Sequence, residues 1–132
     1  PLELHAETLL GEPGAYVING AQAGPLFLEL GTQAVVQRLV DGAALPGVRS
    51  CDAGGRLLLN GLRAWLPPGP CCVACVSHDA IVIPFLYWIT AGAFPTRDWL
   101  EPLDGGLLVG GPSCSFLWNG RAFALPAEVA PC

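Results

Sequence analysis

Cys71-Cys72-Val73-Ala74-Cys75-Val76-Ser77-His78-Asp79-Ala80-Ile81-Val82-Ile83 decides how this chain is read. Its first six residues are small or β-branched and uniformly apolar, the pattern of a strand covered on both faces. Polar Ser-His-Asp ends that run, and an apolar helical segment follows at once. In an open α/β sheet the carboxyl end of a strand opens onto a crevice. A helix that starts there aims free N–H groups and the positive end of its dipole at whatever binds. The junction therefore delivers an imidazole, His78, and a carboxylate, Asp79, to an anion-friendly spot, with Ser77 and the Ala80 amide beside them.

Working outward, residues 1–24 are loop-like, broken by Gly11, Pro13, Gly14, Gly20 and Gly24, with a short extended piece at Tyr16–Ile18. Pro25 suits a first helical position, and Leu26, Phe27, Leu28 and Leu30 follow before Gly31. A second helix is expected from Thr32 as its cap, with Val35, Val36, Leu39 and Val40 on one face and Asp41-Gly42 at its end. Ser50 or Asp52 caps a third, which runs through Leu58, Leu62 and Trp65 until Pro67-Pro68 stops it. After the Ser-His-Asp tip, Ala80–Ala91 forms a helix that tolerates Pro84 near its start and stops at Gly92 and Pro95. Short strands follow at Leu107–Val109, Cys114–Trp118 and Arg121–Ala124, and Asn119-Gly120 marks a two-residue hairpin. The expected architecture is one α/β domain over 1–132, a loop-rich segment 1–24 and an α/β core 25–132, with helices packed on a mostly parallel sheet that ends in an antiparallel hairpin.

Composition narrows the class. At 132 residues the chain fits one domain, and with 52% apolar and 13% charged residues it carries about half the usual charge. So apolar a surface implies cover by a second copy or another segment, and a homo-oligomer is expected. The formal charge is −5, and the six cations, all arginine, are scattered without a basic stripe, so no nucleic-acid partner is expected. The absence of lysine beside abundant Ala, Gly, Pro and Arg fits a GC-rich, bacterial source. The longest apolar run, Ala80–Phe94, falls short of the roughly 20 residues a spanning helix needs, so no membrane partner is expected. No charged n-region with an apolar h-region opens the sequence, so no secretory signal is expected. The chain contains no methionine, so residue 1 is expected not to be a native start.

The six cysteines are 51, 71, 72, 75, 114 and 132. The spacing Cys72-x-x-Cys75-x-x-His78 superficially suits a metal, but on a strand Cys72 and Cys75 point to opposite faces. No metal and no cofactor are expected. Small buried hydrophobes in a central strand, in a reducing cytoplasm, is the reading that fits.

Val76-Ser77-His78-Asp79 at a strand end, the apolar helix, Trp99-x-x-Pro102-Leu103-Asp104-Gly105 and the closing Leu117-Trp118-Asn119-Gly120-Arg121 hairpin together resemble the carboxyl-terminal part of the histidine phosphatase superfamily. That is the phosphoglycerate-mutase-like fold, which includes the acid phosphatases. The resemblance covers about residues 45–126 and extends loosely into 2–30. It implies phosphomonoester hydrolysis or phosphoryl transfer. A histidine in Arg-His-Gly attacks phosphorus, and a second, matched by His78, donates a hydrogen bond to the phosphoryl oxygens. In the acid-phosphatase branch the following Asp, here Asp79, protonates the leaving group. In the mutase branch a mid-chain Glu does so, and Glu7 is the nearest equivalent.

This chain has no Arg-His-Gly, and its other histidine, His5, has no arginine beside it. A phosphoryl group needs several donors around three oxygens, so the isolated chain is expected to be weak or inactive. Three readings follow. A phosphatase has lost its amino-terminal half, which the lack of methionine favours. Alternatively, a truncated family member binds or converts a non-phosphorylated small molecule as a homodimer. The third reading is a non-catalytic assembly subunit.

Each residue also has a plainer reading. A lone histidine is ordinarily a hydrogen-bonded core residue; the strand-to-helix position and the Ser77 and Asp79 neighbours argue for function at His78, neutral at pH 7. Asp79 is most simply a helix cap. Ser77 lacks the flanking glycines of a nucleophile elbow. His5 and Glu7 read as exposed loop residues that become acid–base candidates if the loop folds over the crevice. Trp99, Trp118 and Arg121 read as surface residues or as the crevice mouth.

Overall fold

The computed structural model describes residues 4–69, 71–96, 99–110 and 114–126; Arg97 and Cys132, counted above, lie outside them. The architecture is mixed α/β, with four helices followed by three strands. Helix α1 spans Gly20–Leu30, α2 Thr32–Val40, α3 Cys51–Ala64 and α4 Asp79–Ile89.

Helix α1 starts five positions before the expected Pro25, because Asn19 supplies a cap. The Asn19 Oδ1 accepts from Ala21 N at 3.0 Å and Gln22 N at 3.4 Å, satisfying donors that would otherwise be orphaned. Gly31, at φ +78°, ends α1 and is also the N-cap of α2, the position expected for Thr32. In α3 the choice between two caps falls to Ser50, whose hydroxyl accepts from Ala53 N at 3.2 Å, while Asp52 sits in the first turn. Helix α4 ends in a Schellman motif: Gly92 N donates to Tyr87 O at 2.8 Å and Ala91 N to Trp88 O at 3.1 Å, with both residues at positive φ.

The described sheet is antiparallel throughout, in the order β1-β2-β3, from Leu107–Val109, Ser115–Trp118 and Arg121–Ala124. Asn119 and Gly120, at φ +46° and +72°, make the hairpin turn that an Asn-Gly pair favours. Alternation along β2 buries Phe116 and Trp118 on one face. There Phe116 meets Phe85 edge-on at 6.0 Å and Trp118 meets Phe94 at 5.7 Å. These contacts join the sheet to the helical core of Leu58, Leu59, Ile83, Leu86 and Ile89.

Three expectations differ from the described structure. Residues 71–76 form no strand and are exposed, and among the described residues no parallel strand pair exists. Apolarity on both faces reads as double cover, but a ladder also needs an edge to pair with. The other β-prone pieces are used elsewhere: the carboxyl-terminal strands pair among themselves, and Tyr16–Ile18 contributes a single bridge, Val17 to Val48. With the strand absent, Cys71, Cys72 and Cys75 are exposed and unbridged, contrary to their reading as buried hydrophobes.

Candidate functional site

His78 lies at a bend, as the sequence suggests, and is itself the N-cap of α4. Asp79, expected to be the cap, occupies the first helical position and spends its carboxylate differently. Its Oδ1 accepts from Ala80 N at 2.8 Å and its Oδ2 from Trp99 Nε1 at 2.7 Å. The His78 carbonyl accepts from both Ile81 N and Val82 N at 3.0 Å. The expected cluster of free backbone donors is therefore largely consumed within the turn.

The two side chains remain available. They are 48% and 42% exposed, with His78 Nδ1 4.0 Å from Asp79 Oδ1. Together with Ala80 they line a cleft of about 450 Å³ between α1, α2 and the start of α4. Its walls include Phe27, Val36, Leu39 and Ile81, and the exposed Glu12 adds a second carboxylate. No arginine lines it among the described residues. Tyr16 also contributes to the wall, its hydroxyl buried with no hydrogen-bond partner among the described residues, and burial drives the phenol pKa well above its ordinary value.

The remaining sequence candidates lie elsewhere. Ser77 turns away: its hydroxyl donates to Leu10 O at 2.7 Å, tying the junction to the amino-terminal loop, and it lines a separate groove of about 410 Å³. Glu7 does not line the cleft; the Cys75 thiol pKa is raised first by burial and then by the Glu7 charge. His5 is exposed and is likewise not a cleft residue. Arg121 sits on the hairpin with its guanidinium 5.3 Å from the Phe123 ring centre. Trp118 is buried in the core rather than at a mouth. Sequence reading missed Glu12, and it gave Trp99 no bond to Asp79.

No family model, curated protein or solved structure matches this chain. Among the described residues no group of three or more His, Cys, Asp or Glu gathers to hold a metal ion. Nor is any described helix long and apolar enough to cross a membrane. Cys51 donates its thiol to Pro84 O at 3.4 Å, and burial pushes its pKa up to about 11. Cys114 is disulfide-bonded.

Proposed function

We propose that this chain is the carboxyl-terminal half of a histidine-phosphatase-like domain with a truncated phosphoglycerate-mutase-like fold. In this reading His78 donates to a phosphoryl oxygen and Asp79 protonates the leaving group, while the nucleophilic histidine and the phosphate-binding arginines belong to a complementing amino-terminal half. The observation that carries it is the Trp99 Nε1 to Asp79 Oδ2 bond. It joins two of the sequence pieces on which the resemblance rests and holds the proposed acid in one orientation beside His78. The isolated chain is expected to lack turnover, since no arginine lines the cleft among the described residues and the first-turn amides are already engaged.

The test is a titration of the chain with inorganic phosphate or vanadate, followed by amide NMR, beside a p-nitrophenyl phosphate assay. Shifts confined to Ser77–Ile81 and abolished by His78→Ala support the reading. Efficient hydrolysis by the chain alone, lost in His78→Ala, refutes the need for a second half. Shifts that leave Ser77–Ile81 untouched, or that persist in His78→Ala, refute the phosphoryl reading.

A second reading is favoured by the cleft walls. Phe27, Val36, Leu39 and Ile81 suit an apolar, non-phosphorylated small molecule, with His78 and Asp79 as its acid–base pair. Binding of a fluorescent naphthalene probe, lost when Ala23→Trp fills the cleft, separates it from the first. The thiols bear on the compartment in two directions. Exposed free Cys71, Cys72 and Cys75 support the cytoplasm, whereas the Cys114 disulfide supports an oxidising location. Thiol tagging of protein taken directly from cells decides between them.

A further inference from the structure

The cleft beside His78 sorts its surface by exposure. Its apolar residues Ala23, Val36, Leu39 and Ile81 are buried, each between 1% and 3% exposed. Its charge-bearing groups sit where water still reaches them: Glu12 is exposed, and the Asp79 and His78 side chains are close to half exposed. About 450 Å³ with buried apolar walls and ionisable groups near solvent suits a small molecule with an apolar body and one polar end.

Counting charge decides the sign of that end. The described lining residues supply two carboxylates and one imidazole, with no lysine or arginine among them. Even a protonated His78 leaves the rim net negative. Helix starts at Gly20, Thr32 and Asp79 also border the cleft, each worth about half a positive charge that fades within a turn. At two of them that field is already answered, because Asn19 Oδ1 accepts from Ala21 N and Asp79 Oδ1 from Ala80 N. The chain as a whole carries −5, which draws cations and repels anions.

Asp79 has capacity to spare. Its oxygens accept from Ala80 N and Trp99 Nε1, and an ionised carboxylate offers about four acceptor sites. A cation at this rim also avoids the main cost of burying charge, since its head stays hydrated while its apolar body leaves water.

We infer that the cleft binds primary amines with a compact apolar body, the ammonium at the rim that carries Glu12 and Asp79 and the body against Phe27, Val36, Leu39 and Ile81. The inference rests on the reading of the cleft as a site for a non-phosphorylated molecule and supplies its chemical class.

The test uses the full chain, the naphthalene probe and three competitors of one shape: cyclohexylmethylammonium, cyclohexylmethanol and cyclohexanecarboxylate. Each is titrated to the millimolar range at low salt. The ammonium is expected to displace the probe at about fivefold lower concentration than the alcohol, the factor that one carboxylate about 4 Å away supplies in water. The carboxylate is expected to be the weakest. Glu12→Lys, an exposed substitution that spares the core, is expected to erase the ammonium's advantage and leave the alcohol unchanged. A probe that does not bind, or that Ala23→Trp fails to expel, overturns the small-molecule reading and the inference with it; should Ala23→Trp fail to fold, side-chain NMR shifts at Phe27 and Ile81 locate the probe instead. A probe seated in the cleft and displaced equally by all three, or best by the alcohol or the carboxylate, overturns the inference alone. So does an ammonium advantage that survives Glu12→Lys.

Discussion

Gly55→Ala is the most exacting test of how α3 meets α4. Gly55 is buried on α3, and a Cβ added there would stand 2.4 Å from Trp88 Cδ2 and 2.6 Å from Trp88 Cε3. Carbon atoms pack at about 3.5–4.0 Å, so ring or helix must retreat by about 1 Å or more. Moving the half-buried ring disturbs its Nε1 hydrogen bond to Asp52 Oδ1, at 2.9 Å, and its packing 6.0 Å from the Phe85 ring. Overpacking of this kind costs about 1–3 kcal/mol, and the better helix propensity of alanine returns about 1 kcal/mol. The expected outcome is a net loss of up to about 2 kcal/mol, or up to roughly 7 °C in Tm. Urea unfolding followed by circular dichroism and tryptophan fluorescence measures it. Gly24→Ala in α1 is the control: nothing lies within 4 Å of its added Cβ, so it is expected to stabilise by up to about 1 kcal/mol. Gly55→Ala that raises stability as Gly24→Ala does would refute the packing argument.

Trp99→Phe removes the donor to Asp79 Oδ2 and is expected to cost about 1 kcal/mol, with faster amide exchange at Ala80–Val82; unaltered exchange there would mean that Trp99 does not fix the start of α4. Asp52 is held below its ordinary pKa of 3.8, first by its hydrogen bond from Arg56 and then by that from Trp88. A depressed folded-state pKa contributes stability that is present above the unfolded value and lost as pH falls through the folded one. Urea midpoints are therefore expected to drop below about pH 4, less steeply in Asp52→Asn; parallel profiles would exclude Asp52 as a source. Cys51, with its pKa near 11, is expected to resist maleimide at pH 8 while exposed Cys71 and Cys72 react, and a Cys51 as fast as those two would contradict its burial against Pro84.

Helical periodicity and capping chemistry were legible where both act within a few residues. Val35, Val36, Leu39 and Val40 fall on the buried face of α2, Ser50 caps α3, and Asn119-Gly120 turns the hairpin, since each feature is decided locally. The start of α1 was legible too, but the eye goes to Pro25 before Asn19, although a side-chain cap satisfies amides and proline only avoids needing one. Cys71–Val76 was not legible, because whether a β-prone segment becomes a strand depends on a partner edge that no local pattern records. The site divides the same way. His78, Asp79 and Ala80 share one cleft because they are consecutive at a helix start. Trp99 reaches Asp79 from 20 residues away, while Ser77, next to His78, is turned aside by Leu10.

Arg49 links the two ends of a long excursion. One guanidinium nitrogen donates to Ala15 O at 3.0 Å and Val17 O at 3.1 Å, while the Arg49 amide donates to Tyr16 O at 2.7 Å. Everything between Val17 and Val48, helices α1 and α2 included, is thus a closed loop knotted at its base. Those helices form one side of the cleft and α4 the other, and α2 also packs directly against α4, so the cleft is held both at the base of this loop and along that helix pair. An arginine that does not line the cleft thus fixes the base of the segment that carries one of its sides, and a lysine there, with a single compact ammonium, would loosen that base without altering the walls.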